Sequence, residues 1–211
     1  MGLITPATQF ESPEESQAVQ APKVNQPSQG NKMAIASTKV VTNVVRGSYM
    51  NVFEPRAQEE GKPPKYSMTL LIPKTDTVTL NKIKAAQEAA IVAKFPNKRP
   101  AKLDTTVHDG DGVRPSTGEP FGDECKGNMV MSVSSKFKPK ILDRNGNEVI
   151  DPGDAMSGDY FKVSLNFYGY DQAGKRGVSA GLGNLLLWDK GDPLGGTSRA
   201  EDDFADDLAA K

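Results

Sequence analysis

One cysteine, one histidine and no long apolar run set the outer limits of this 211-residue chain. Cys125 alone makes neither an internal disulfide nor a cysteine-rich zinc site. His108 alone leaves no material for a histidine-rich metal centre or a paired-histidine catalytic site. No stretch of eighteen apolar residues is present to cross a bilayer, and Met1 to Gly30 lack the basic-then-apolar order of a secretory signal. A soluble intracellular protein is the expected consequence. The phosphate-cradling GxxxxGK[ST] and GxGxxG patterns are missing too, as is a GxSxG nucleophile elbow, so nucleotide hydrolysis and triad chemistry have no support. What remains, 25% charged and 36% hydrophobic residues, suits one modest globular domain with polar extensions.

The net charge of −1 is unevenly spread. Residues 33–198 carry 22 basic and 19 acidic side chains, whereas residues 199–211 carry two basic and five acidic. A mildly basic body followed by an acidic tail is a pattern used for binding anionic partners and regulating that binding.

Residues 1–34 are rich in Pro, Gln, Ser and Glu without apolar periodicity and read as a disordered extension, because little apolar surface is available to offset ordering entropy. A domain is expected over 35–195, and an acidic disordered tail over 196–211. Thr38–Arg46 is dense in β-branched residues and predicts a strand, with a bend at Gly47 before Ser48–Phe53. Glu54–Pro64 is polar and reads as a loop. Lys65–Ile72 alternates, with Tyr66, Met68, Leu70 and Ile72 on one face. The period then changes: Asp76 or Thr77 caps a helix to about Lys94, with Leu80, Ile83, Ala90 and Ile91 in one stripe, and Pro96 and Pro100 stop it. Asn97–Gly127 is a long Gly, Asp and Pro-rich loop of the kind that carries function or mobility. Met129–Pro139 predicts a strand, Ile141–Ile150 a hairpin around Asn145-Gly146, and Asp159–Tyr170 with Gly177–Trp188 a second hairpin. Five or six mostly antiparallel strands and one helix fit a small mainly β barrel.

Asp159–Tyr170 is the most informative strand. Phe161, Val163, Leu165 and Phe167 make an apolar face, while Tyr160, Lys162, Ser164, Asn166, Tyr168 and Tyr170 lie opposite, about 7 Å apart along the strand. Rings interleaved with a cation suit single-stranded nucleic acid, whose bases stack on aromatics for about 1–3 kcal/mol each; cross-strand packing of exposed tyrosines is the plainer use of the same pattern. Met129–Lys140 places Met129, Met131, Val133 and Phe137 on one side and Ser132, Ser134, Lys136, Lys138 and Lys140 on the other. Such a lysine row also protects a sheet edge. If the two strands pair, lysines and tyrosines form one surface, which Arg46, Lys65 and Lys74, with Arg144, Lys175 and Arg176 in loops, extend. Tyr49 and Phe53 supply either stacking at a loop mouth or core packing.

The catalytic signals are poor. His108-Asp109-Gly110-Asp111-Gly112 has no second histidine and reads as a turn. Asp143-Arg144-Asn145-Gly146-Asn147 imitates a calcium loop but has Glu148 where Gly is needed. No catalytic residue, metal or cofactor is therefore assigned. Cys125 and Trp188 read as structural, and alternation with Ala180, Leu182 and Leu186 predicts a core-facing Trp188. In the tail, Glu201, Asp202, Asp203, Asp206 and Asp207 surround Phe204 and Leu208, a short motif able to dock on a basic, apolar-lined partner pocket or to compete with DNA for the chain's own groove.

Four segments taken in order, SYMNVFEP (48–55), KYSMTLLIPKTD (65–76), VSLNFYGYDQAGKRGVSAGL (163–182) and GDPLGGTSRAEDDFAD (191–206), resemble the phage single-stranded-DNA-binding protein family. The resemblance spans roughly Ser37 to Asp207. It implies an OB-fold, binding of single-stranded DNA in phage replication or recombination inside the bacterial host cell, and an acidic tail that contacts other replication proteins. That barrel normally carries its helix between the third and fourth strands, which here requires the Gly47 bend to split the first segment. The rival readings are a virion structural or assembly protein, a metal nuclease built on Asp109 and Asp111, and a protein that also binds duplex DNA; a homodimer stays open.

Overall fold

The computed structural model describes residues 37–57, 61–172 and 174–194, so the expected extension (1–34) and acidic tail (196–211) lie outside the described residues. The described chain is mainly β with one helix. In chain order it forms β1 (Lys39–Val41), β2 (Val45–Arg56), β3 (Lys65–Pro73), α1 (Thr77–Lys94), β4 (Val107–Asp109), β5 (Asn128–Ser135), β6 (Ile141–Leu142), β7 (Tyr160–Gln172) and β8 (Lys175–Asp189). Five of these strands are long. The other three, β1, β4 and β6, have two or three residues each and take the number beyond the five or six expected.

Thr38–Arg46 does not form one strand. The ladder between β1 and β7 stops at Val41, and Thr42 replaces it: its N–H donates to the Val163 carbonyl (3.0 Å) and its hydroxyl accepts from the Val163 N–H (3.0 Å). A short hydroxyl side chain thus takes over a strand's hydrogen bond. The next amide, Asn43 N–H, donates to Thr79 Oγ1 in α1 (2.9 Å). The break therefore falls at Thr42–Val44 and not at Gly47, through which β2 runs unbroken. A Cβ at Gly47 would meet the Phe161, Met50 and Met68 side chains at 3.0–3.1 Å, so a larger residue there requires them to shift.

Most pairings are antiparallel: β2 with β3, β3 with β5, β4 with β5, β7 with β1, β2 and β8. Two are parallel, β5 with β8 and β6 with β8. Passing from β7 through β2, β3, β5 and β8 leads back to β7. Inside lie Val45, Val52, Met68, Leu70, Ile72, Met131, Val133, Phe161, Val163, Leu165 and Phe167, all buried. Each such side chain contributes about 1.5–3 kcal/mol of transfer free energy. Apart from Val45 and Val52 of β2, these residues follow the alternation expected of β3, β5 and β7; Phe137, expected on the same face, lies beyond the end of β5 and is 82% exposed.

α1 packs its buried stripe, Ile83, Ala86, Ala90 and Ile91, against the same core, with Leu80 half-buried beside it. Asp76 caps it, accepting from the Thr79 N–H (3.1 Å) and from Asn43 Nδ2 (2.9 Å). Burial works to raise the Asp76 carboxyl, and the Thr79 and Asn43 hydrogen bonds outweigh it, holding the group below its ordinary value. Cys125 is buried in a smaller apolar cluster with Leu71, Val130, Phe121 and Leu194, and burial pushes its thiol up.

Candidate nucleic-acid interface

β7 keeps period-two alternation from Phe161 to Phe167, so its outward column is the one read from the sequence. Tyr160 is 36% exposed and Tyr168 47% exposed. Tyr168 lies directly opposite Ser179 of β8, and the two share a face. Tyr170 is only half-buried and lies across Gly177, where it meets Asp104; burial first, and then the Asp104 carboxylate, hold its phenol above the ordinary value. It thereby packs the β7–β8 hairpin rather than standing free.

The partner strand of this column is β8, which changes parity midway. Leu165 pairs with Leu182 but Val163 pairs with Leu185, so Gly183 and Asn184 together face Ser164. This is a bulge, pinned by Ser164: the Asn184 N–H donates to Ser164 Oγ (2.7 Å), and the hydroxyl donates to the Asn184 carbonyl (3.2 Å). One extra residue flips every later side chain to the other face. Val178, Ala180 and Leu182 point inward before the bulge, and Leu185 and Leu187 after it. Trp188 therefore turns outward, against the expectation that it faces the core.

There the indole meets two cations. Lys162 Nζ stands 3.8 Å from the ring centroid and Arg144 Cζ 4.8 Å from it. Tyr160, opposite Asp189, has the Arg46 guanidinium 5.8 Å from its ring. Two aromatic rings and three cations so gather around the start of β7 and the end of β8. Arg46 is partly committed, since its Nε and Nη2 donate to the Gly158 and Asp192 carbonyls (3.0 and 2.7 Å). The signal for Trp188 is present in the sequence as a glycine inside a strand pattern, which marks a bulge.

The lysine row lies elsewhere than expected. Met129–Lys140 does not pair with β7; β5 ends at Ser135, pairs with β3, β4 and β8, and touches β8 at Ser134 and Gly181. Lys136, Lys138 and Lys140 stand exposed in the link from β5 to β6, one strand away from the tyrosine column, about 10 Å at the usual strand spacing. Lys140 also has an acidic neighbour, Glu148 at 3.1 Å.

A further aromatic flanks the outer face on the other side. Tyr49 is 60% exposed and adopts φ +46° at a bulge in β2, between Ser48 opposite Thr69 and Asn51 opposite Ser67. Below it runs a groove of about 470 Å³ floored by Ser67, Thr69, Ser132, Ser134 and Ser179, with Arg56 at its rim. Short hydroxyl side chains leave the backbone approachable, and Ser179 joins this groove to Tyr168. Lys65 is half-buried opposite Arg56, and Phe53 is half-buried, packed in part against the core.

Other proposed cations are engaged or remote. Lys74 lies between Asp109 (2.5 Å) and Asp111 (2.6 Å). Its ammonium holds both carboxyls below their ordinary values, and they raise its own. Lys175 and Arg176 line an open cleft of about 950 Å³ with Lys98, Lys102 and Phe95; Arg176 is paired with Asp171 at 2.9 Å. His108 is half-buried and burial holds its imidazole below the usual value. Asp143 is consumed by its own turn, accepting from the Asn145 and Asn147 N–H groups (2.8 Å each). No cluster of three metal-ligating side chains occurs among the described residues. The tail residues Asp202, Asp203, Phe204, Asp206 and Asp207 lie outside them.

Residues 38–211 match the family described as the Enterobacter phage Enc34 ssDNA-binding protein. Protein p50 of Acyrthosiphon pisum secondary endosymbiont phage 1 is 32% identical over 175 residues, spanning 81% of this chain and 94% of that protein. The single-stranded DNA-binding protein from bacteriophage Enc34, solved in complex with ssDNA, superposes with a TM-score of 0.63 at 24% identity, over 75% of this chain and 90% of that one. The bacteriophage T7 single-stranded DNA binding protein gp2.5 superposes with a TM-score of 0.50 at 17% identity, over 80% and 93%. The fold is that of these proteins.

Proposed function

The chain belongs to the Enterobacter phage Enc34 ssDNA-binding protein family, and from that premise we propose that it binds single-stranded DNA without strong sequence preference. The circuit β7–β2–β3–β5–β8, with its parallel β5–β8 contact, supports an OB barrel. One observation carries the reading: Trp188, Lys162, Arg144 and Tyr160 stand together on the outer face, next to the β7 column that leads to Tyr168. Rings there stack on any base, and cations neutralise the phosphates that follow it.

The strand's path runs from this cluster along Ser164, Asn166 and Tyr168, across Ser179 and the hydroxyl groove, to Tyr49. Lys136 and Lys138 flank it as phosphate contacts. Lys74, clamped between two aspartates, is not part of it, and the same clamp argues against a nuclease built on Asp109 and Asp111. The ssDNA-binding family supports a role in phage DNA replication or recombination inside the host cell, with the acidic tail recruiting replication proteins as part of the same proposal. The test is a fluorescence-anisotropy titration of labelled oligothymidine, with duplex competitor, at two salt concentrations. About four phosphate contacts give a log–log salt slope near −3. Equal affinity for duplex would move the reading to general backbone binding, and no binding to either would overturn it.

A further inference from the structure

Beyond the hydroxyl groove, on the other side of the Thr69–Ser132 pair, a second concavity of about 390 Å³ opens under Tyr49. It is lined by Tyr49, His108, Arg114, Phe121, Thr69 and Ser132 among others, and neither His108 nor Arg114 figures in the path above. Its size is that of a small-ligand site. The wall opposite Tyr49 comes from the long 97–127 loop, which is locally well held. The Arg114 N–H donates to the Glu119 carbonyl (2.7 Å), the Gly118 N–H donates to the Arg114 carbonyl (2.8 Å), and Val113 bridges Pro120.

That small hairpin delivers the Arg114 guanidinium against the Phe121 ring, 5.6 Å from its centroid. The Arg114 Nε–H is closed off from solvent and has no hydrogen-bond partner. With Nε sealed off, the terminal Nη groups are the donors the guanidinium has to offer, a fork suited to the edge of a planar ligand. His108, whose imidazole burial holds below its usual value, adds hydrogen-bonding capacity. An exposed ring in a strained backbone position, an arginine side chain and two hydroxyls thus line one space continuous with the groove.

We propose that this pocket receives one unpaired nucleobase of the bound strand, stacked on Tyr49 with its edge accepting hydrogen bonds from Arg114. The inference rests on the single-stranded-DNA reading above and adds to it a physical basis for strand selectivity: a base held in a duplex keeps its edge paired and cannot enter. All four bases present an edge acceptor, so no sequence preference is required.

The test compares the full chain with Arg114→Ala and Arg114→Lys on oligothymidine and on an abasic strand of the same length, across a salt series. Both variants should bind oligothymidine about 10-fold or more weakly, with an unchanged salt slope, and should match the wild type on the abasic strand. Arg114→Lys keeps the charge and stem, so its loss on oligothymidine is not an effect of misfolding. Wild-type affinity in both variants overturns the pocket while leaving the proposed function standing. So does rescue by lysine with a shallower slope for Arg114→Ala on both strands, the mark of a phosphate contact. Failure of the wild type to bind oligothymidine overturns the proposed function and this pocket together.

Discussion

Truncating Trp188 separates the roles of ring and charge in the outer cluster. Lys162 Nζ lies 3.8 Å and Arg144 Cζ 4.8 Å from the centroid of the indole ring. In Trp188→Ala those two contacts disappear; at about 0.5–1 kcal/mol each for partly exposed sites, the fold should lose about 1–2 kcal/mol and remain folded. Binding should fall by the stacking contribution, about 1–3 kcal/mol, or roughly 5- to 150-fold in Kd. Because no phosphate contact is removed, the salt slope should stay as it is, whereas Lys162→Met should reduce it by about 0.7. Trp188→Phe keeps a ring and should recover most of the affinity. The chain has one tryptophan, so its emission reports this position alone and should be quenched as oligothymidine saturates the protein. A folded Trp188→Ala protein with wild-type affinity, together with unaltered tryptophan emission, would refute the assignment of this cluster to DNA.

Tyr168→Ala should weaken oligothymidine binding by about 1–3 kcal/mol with little change in urea stability, since the ring is exposed; wild-type affinity would remove Tyr168 from the path. Ser164→Ala, which deletes both hydrogen bonds to Asn184, should lower the urea-unfolding free energy by about 1–2 kcal/mol. Gly183→Ala should cost more, because its Cβ would lie 2.8 Å from the Ser164 carbonyl oxygen. Lys74→Met tests the aspartate clamp by pH. The Asp109 and Asp111 carboxyls are held low, so their contribution is present above their ordinary value of 3.8 and lost as pH falls through the lower folded value. Lys74 is held high, so its share is complete below 10.5 and lost as pH rises through the raised value. The difference in Tm between wild type and Lys74→Met should be flat near neutrality and shrink toward both extremes; a constant difference from about pH 2 to 11 would contradict the clamp.

The elements that the sequence disclosed are those governed by local period. The inward faces of β3 and β7 follow period-two alternation, and α1 follows its cap at Asp76 and its apolar stripe. Tyr160 and Tyr168 are exposed for the same reason. The departures share a cause. Thr38–Arg46 is dense in β-branched residues, but Thr42 trades a ladder bond for a side-chain bond, which composition does not report. Alternation carried through Gly183-Asn184 points Trp188 inward, whereas the strand holds one residue too many there. Phe137 reaches the core only if β5 continues past its end at Ser135.

Which charges are available is a question of distance. Lys74 and Lys140 look alike in sequence to Lys136 and Lys138, yet the fold brings Asp109, Asp111 and Glu148 to the first two. The same holds for pairing: nothing in Met129–Lys140 says that β8 comes between it and β7. Alternation, caps and turn residues act between neighbours along the chain, so one sequence determines them. Strand partners, a bulge's effect on the far end of a strand, and the company a lysine keeps arise from segments tens of residues apart. Only the packed fold, which brings those distant segments against one shared core, decides those.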